Sequence, residues 1–315
     1  TNYWHTHAMK PIFKKFALAA LSAAALCASA RAETVLRVGH FPNISHAQAL
    51  VAHRLSMLGK GWFEERLGKG VKIQWMLFNA GPSAMESVFA GAVDITYVGP
   101  NPAINAYAKT RGRDIRILAG SADGGASLVV NPKLGIKSPQ DFKGKSIGTP
   151  QLGNTQDVAC RAWLIDNGVK VALTSGEARV IPTPNPEQLM LFKRGDLDAV
   201  WTVEPWVTRL EQDAGGKIFL DQKEAVTTIL VTNNRTLKEH ADLVKKFVAA
   251  HRELTDWINK NPAEAQKLAL EALDELMGGA SISKELVAAA WPRLTFTAEV
   301  NHGELEKFVD DAYKC

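Results

Sequence analysis

The chain has 315 residues, 46% hydrophobic and 22% charged, with a formal charge of +4. That composition excludes a disordered tail, a collagen-like fibre and a small disulfide scaffold, and the length favours two lobes over one. The excess charge sits at the start: residues 1–32 carry Lys10, Lys14, Lys15 and Arg31 and no acid, and the rest balances 33 bases against 33 acids, so no general positive field is present to hold a nucleic acid.

Met9 opens a basic stretch, and an Ala/Leu run follows from 16 to 28. It closes at Ala30-Arg31-Ala32, with small residues at the two positions a signal peptidase reads. This is a secretory signal pattern, too short and Ala-rich for a membrane anchor, and it directs the chain to a bacterial periplasm. Cleavage is expected after Ala32. Leu26 before Cys27 does not suit lipidation. Beyond the signal only Cys160 and Cys315 remain, which make no disulfide framework. Cys160 reads as a small buried hydrophobe.

Strand and helix patterns then alternate. Strands are expected at 35–39, 72–78, 93–98, 115–119, 127–130, 146–148, 198–203 and 227–231. Helices are expected at 45–58, from Gly81-Pro82 to Gly91, from Asn101-Pro102, from 155 to 167, from Asn185-Pro186 and from Glu204-Pro205. From 236 onward the chain reads as helix, with another start at Asn261-Pro262. Proline recurs at helix starts, where its missing N–H costs nothing. Repeated strand–loop–helix units imply mixed or mainly parallel sheets with flanking helices, and in such sheets ligands bind beyond the carboxyl ends of the strands.

Three of those loops are suited to an anion. They are Phe41-Pro42-Asn43-Ile44-Ser45-His46, Gly99-Pro100-Asn101-Pro102 and Gln151-Leu152-Gly153-Asn154-Thr155-Gln156. Each enters a helix whose first N–H groups are unpaired and carry partial positive charge. Gly99 and Gly153 allow close backbone approach, and Ser45, Asn101, Asn154 and Thr155 offer donors or simple N-caps. Phe41, Asn43 and Gln156 belong to the same candidate surface. None of the three loops contains Arg or Lys. His40, His46 and His53 fit no familiar metal spacing, and His46 is a candidate ligand donor. The glycine-rich run 120–125 reads as a hinge or ligand-facing turn that includes Ser121. Trp201 and Trp206 flank Glu204 and read either as core or as an apolar wall for the ligand; Glu204 either faces the cleft or caps its own helix. No nucleophile elbow, Walker loop, H-E-x-x-H or C-x-x-C is present, so no enzyme and no cofactor is indicated.

The stretches LRVGHFPNISHAQAL, FNAGPSAMESVFAGAVDITYVGPNPAINAY, GTPQLGNTQDVACRAWL and VWTVEPWVTRL resemble the substrate-binding proteins of nitrate, sulfonate and taurine ABC importers, the aliphatic-sulfonate branch most of all. The resemblance implies a two-lobed α/β type II periplasmic-binding-protein fold, with residues 33–123 and 231–315 in one lobe and 124–230 in the other. It implies a monomer that closes on a small anion, such as a sulfonate, between the lobes and hands it to a membrane permease. Nitrate, taurine and a thiamine-precursor pyrimidine are the competing ligands; an exported enzyme or a sensory module on the same fold are the competing roles. The resemblance also implies further residues beyond Cys315.

Overall fold

The computed structural model describes residues 33–172, 176–279 and 282–315; the expected signal segment and its cleavage site lie outside them. The order is β1 (Thr34–His40), a 3-10 turn (Ile44–His46), α1 (Ala47–Met57), α2 (Trp62–Leu67), β2 (Val71–Leu77), α3 (Gly81–Phe89), β3 (Ile95–Val98), α4 (Pro100–Lys109), β4 (Ile115–Gly124) and β5 (Ala126–Val130). There follow β6 (Ser146–Thr149), α5 (Thr155–Asp166), β7 (Arg179–Pro182), α6 (Asn185–Arg194), β8 (Ala199–Val203), α7 (Trp206–Ala214), β9 (Lys217–Gln222) and β10 (Val226–Asn233). The last part is α8 (Asn234–Glu239), α9 (Ala241–Lys260), α10 (Pro262–Leu276), α11 (Lys284–Ala290), β11 (Leu294–Phe296) and α12 (His302–Lys314). Proline occupies the first turn of α3, α4, α6 and α10, where its fixed φ is already helical.

Two sheets organise these elements, ordered β11-β4-β10-β3-β1-β2 and β7-β6-β8-β5-β9. Each carries apolar clusters on both faces: Leu36, Val38 and Tyr97 lie on one side of the first sheet and Val98, Ile229 and Val231 on the other. In the second sheet Leu128 and Trp201 oppose Val129 and Val200. Helices therefore cover both faces, and central strands such as β5, β8 and β10 are buried along their whole length, as expected of doubly covered sheets.

The sheets are mixed. β1–β2, β1–β3, β6–β7 and β6–β8 are parallel, but the pairs made by β4, β5, β10 and β11 are antiparallel, so of the two expected arrangements the mixed one is found and not a parallel majority. The strands that carry the chain from one sheet to the other run against their neighbours. β10 lies whole in the first sheet, between β3 and β4, so 226–230 pack with the first lobe, not with the second as expected. Its side chains are buried on both faces there. β11 interrupts the helical C-terminal part, pairing Leu294–Phe296 with β4.

The glycine-rich run is not a ligand-facing turn. β4 continues through it to Gly124, with register shifts against β10. Gly124 and Gly125, with φ of 77° and 70°, carry the chain over to the second sheet, where a hinge is one of the expectations. A Cβ on Gly120 would stand 2.0 Å from the Glu299 carbonyl oxygen. Glycine is there because the 297–299 segment lies against that strand: Gly120 N–H donates to Ala298 O at 3.0 Å.

Candidate functional site

The carboxyl ends of β1, β2, β3, β6, β7 and β8 open towards one pocket. Its lining comes from loop residues and helix starts: Phe41, Asn43, Ser45 and His46 after β1; Asn79, Ala80 and Gly81 after β2; Gly99 and Pro102 after β3. The second lobe adds Pro150, Asn154, Thr155 and Gln156 after β6, Asn185 after β7 and Val203 at the end of β8, and Thr227 comes from β10. The 3-10 turn and the starts of α3, α4, α5 and α6 thus converge on one space. Each brings the partial positive charge of a helix start, and α3, α5 and α6 bring N–H groups with no helical carbonyl to donate to. At α4 Pro100 and Pro102 have no N–H and Asn101 N–H goes to Thr155 Oγ1, and in the 3-10 turn Ile44 and His46 N–H go to Glu204 O and Asn43 O.

The lobes touch across this space. Ile44 N–H donates to Glu204 O (3.1 Å), Trp206 Nε1 to Asn43 Oδ1 (3.0 Å), and Asn101 N–H to Thr155 Oγ1 (3.4 Å). The first lip is braced by two histidines. His40 Nδ1 lies 3.2 Å from Phe41 O and its Nε2 lies 2.9 Å from His53 Nδ1, so His40 donates from Nδ1 and accepts from His53. Phe41 N–H donates to His46 Nδ1 at 3.3 Å, which leaves the His46 proton on Nε2. That N–H is a donor at the pocket.

No Asp, Glu, Lys or Arg is among the lining residues. Burial, aided by His40, holds the pKa of His46 well below 6.5, and burial takes His40 to about 3 and His53 to about 4. The donors are therefore neutral at physiological pH: His46 Nε2–H, the Ser45 and Thr155 hydroxyls, amide groups of Asn43, Asn79, Asn185 and Gln156, and helix-start N–H groups. Such a set suits a ligand rich in acceptors and carrying net negative charge. Phe41, Ala80, Pro102, Pro150 and Val203 supply apolar wall. The affinity for an oxyanion should stay within about threefold between pH 5.5 and 8, because no lining group titrates there. Calorimetry that shows tenfold tighter binding at pH 5.5 would mean that a histidine becomes a cation in the site.

Of the thirteen residues the sequence nominated, Phe41, Asn43, Ser45, His46, Gly99, Asn154, Thr155 and Gln156 lie on this pocket. Five do not. Asn101 is fully buried beside it, donating from Nδ2 to Phe308 O (3.0 Å). Ser121 is fully buried and its hydroxyl donates to Gln48 Oε1 (2.9 Å). Gly153 turns outward, its N–H donating to Asp157 Oδ2 (3.0 Å), and lines a separate outer groove with Leu152. Glu204 caps its own helix, accepting from Thr208 N–H (3.1 Å) and Thr208 Oγ1 (3.0 Å). Arg293 Nε stands 2.8 Å from Glu204 Oε1, too poorly aligned to count as a hydrogen bond. Trp206 lines the space next door, and Trp201 belongs to the core, with its Nε1 on Gln222. Sequence reasoning missed Asn79, Gly81, Asn185 and Thr227. Gly81-Pro82 and Asn185-Pro186 carried the same helix-start signature as the loops that were chosen.

The profile of the NMT1-like family matches residues 29–272. The chain belongs to the NMT1-like family. A Bacillus subtilis relative assigned as an aliphatic sulfonates-binding protein is 28% identical over 66% of this NMT1-like chain and 63% of its own length. The taurine-binding periplasmic protein of Escherichia coli is 26% identical over 56% of the chain and 55% of its own. The chain thus spans less than two thirds of the length of these relatives. In structure it resembles the MOPS-bound alkanesulfonate-binding protein SsuA of Xanthomonas axonopodis pv. citri, with a TM-score of 0.72 at 17% identity, covering 90% of this chain and 92% of that one. The nitrate-binding NrtA of Synechocystis is equally similar in fold, with a TM-score of 0.72 at 12% identity over 89% and 81%. The fold of this NMT1-like chain is therefore that of the periplasmic binding proteins. No helix among its described residues is long and apolar enough to cross a membrane.

Proposed function

We propose that this chain is the periplasmic solute-binding component of an ABC importer and that it captures a small organic oxyanion, an aliphatic sulfonate above all, for delivery to a membrane permease. One observation carries the reading: five helical starts and a ring of neutral donors surround a pocket whose lining holds no charged side chain. A sulfonate brings three acceptor oxygens and keeps its charge at all physiological pH. It needs donors on every side and no counter-ion. The relatives named for aliphatic sulfonates and taurine support the same ligand class. Taurine also carries an ammonium group. Glu204, the carboxylate the sequence offered for it, is fully buried beside Arg293 and away from the pocket, so the site favours sulfonates without an amine.

The test is a thermal-shift screen of ethanesulfonate, butanesulfonate, taurine, nitrate, sulfate and a thiamine-precursor pyrimidine. Ligand at about a hundred times its Kd stabilises the native state by about 2.7 kcal/mol, a rise in Tm of roughly 5–10 °C at this size. Larger shifts with the alkanesulfonates than with nitrate or sulfate support the proposal. A shift with nitrate alone makes this a nitrate binder, and one with the pyrimidine alone discards the oxyanion.

A further inference from the structure

A second space adjoins the pocket, and Asn43, Asn79 and Asn185 line both. Two of these asparagines have a fixed orientation. Asn43 Oδ1 accepts from Trp206 Nε1 (3.0 Å) and Asn185 Oδ1 accepts from Thr202 Oγ1 (3.0 Å). Both residues are more than nine-tenths buried. With each oxygen occupied, it is the amide NH2 that faces open space, at the boundary between the two chambers. Beyond the boundary the walls turn apolar: Pro42, Pro186, Trp206, Leu276 and Met277. Arg209 lies over the Trp206 ring, 5.1 Å from its centroid, and is paired with Asp213 at 3.2 Å. Leu276 and Met277 come from the end of α10, packed on the first lobe, whereas Pro186, Trp206 and Arg209 come from the second. The chamber is thus complete only where the lobes meet.

Building on the oxyanion reading above, we infer that the ligand has two ends. Its oxyanion is held by the helix starts and by the asparagine NH2 groups, and an uncharged alkyl or aryl tail passes between the asparagines into the chamber walled by Trp206 and Met277. The preferred sulfonates are accordingly those with several carbons or a ring behind the sulfur. Each methylene buried in the chamber tightens binding about fourfold, so octanesulfonate binds the wild-type protein much more tightly than methanesulfonate.

Met277 is half-buried at the end of α10, and its replacement by a larger side chain fills the chamber without touching the pocket. Calorimetry of the wild type and of Met277→Trp with methanesulfonate and octanesulfonate tests the inference, with circular dichroism confirming that the variant folds. The expected result is a loss of about tenfold or more for octanesulfonate and less than a twofold change for methanesulfonate. The milder Met277→Ala should weaken octanesulfonate alone by a few fold. Equal losses for both sulfonates, or no loss for either, overturn the inference while leaving the oxyanion pocket standing. A wild-type protein that binds neither sulfonate overturns the oxyanion reading, and this inference with it.

Discussion

Replacing Gly99 by alanine is expected to weaken oxyanion binding by roughly tenfold to a hundredfold and to leave the ligand-free protein folded. Gly99 has φ −68° and ψ 157°, values that any L-residue adopts, so the first lobe alone has no objection to a methyl group. The obstacle lies on the other lobe. A Cβ at this position would stand 2.3 Å from Thr155 Oγ1 and 3.2 Å from Thr155 Cβ, and Thr155 opens α5. The clash arises only when the lobes close. It also displaces the Thr155 hydroxyl, which accepts from Asn101 N–H and faces the pocket. Overpacking of this kind costs about 1–3 kcal/mol, which sets the expected range of affinity loss. Thr155→Ala should itself lose affinity, because it removes a donor to a charged ligand. The double variant should then lose less than the sum of the two, since the residues are in contact. Unchanged affinity in Gly99→Ala would mean that the lobes do not approach here when ligand is bound.

The second large effect concerns Glu204 and pH. Burial pushes its carboxyl up to about 7, against the opposing pull of the Thr208 hydrogen bonds and of Arg293. A carboxyl whose pKa is higher in the folded than in the unfolded chain contributes its full stability below about pH 4.5 and loses it as the pH climbs through 7. The loss amounts to roughly 3 kcal/mol on this shift. Glutamine has a similar shape, keeps an acceptor for Thr208 and never ionises. Arg293 keeps Asp221 at 3.1 Å and Glu211 at 3.8 Å. Glu204→Gln should therefore gain on the wild type as the pH rises, by roughly 3 kcal/mol between pH 5 and pH 8.5. Urea unfolding at the two pH values measures the difference. A stability gap that is the same at both would show that Glu204 stays ionised throughout, held by Arg293.

Much of the pocket was legible because helix starts announce themselves. Proline, asparagine and glycine at the ends of apolar runs located the loops at 41–46, 99–102 and 151–156, and eight of the candidate residues singled out there reach the pocket, with Pro102 beside them. Asn185 and Gly81 escaped because each looked like an ordinary helix start, and nothing in a sequence says which starts share a crevice. Ser121 was misplaced for a different reason. Glycines beside a serine look like a turn, but here a passing segment needs the space next to Gly120, and Gln48 from α1 takes the serine. Strands β7, β9 and β11 were invisible because all three lie at sheet edges. They are short, and β7 and β9 are only partly covered, so no strong apolar pattern marks them. The antiparallel central pairs were missed because repeated strand–helix units suggest parallel neighbours, and the strands that change sheets break that rule.

Those same strands decide how the molecule can move. The chain leaves the first sheet after Gly124 and returns at Val226, and the two passages are neighbours, with Asp123 paired to Val226. β11 is registered on the other side of β4, Thr295 opposite Asp123. Two ribbons lying side by side bend readily about a single line and resist twisting and sliding. Mechanically the molecule is a door and not a ball joint. With one soft coordinate, the angle of opening and the occupancy of the pocket are tied on one free-energy scale. A substitution at either lip then acts on ligand affinity and on the population of the closed shape in fixed proportion.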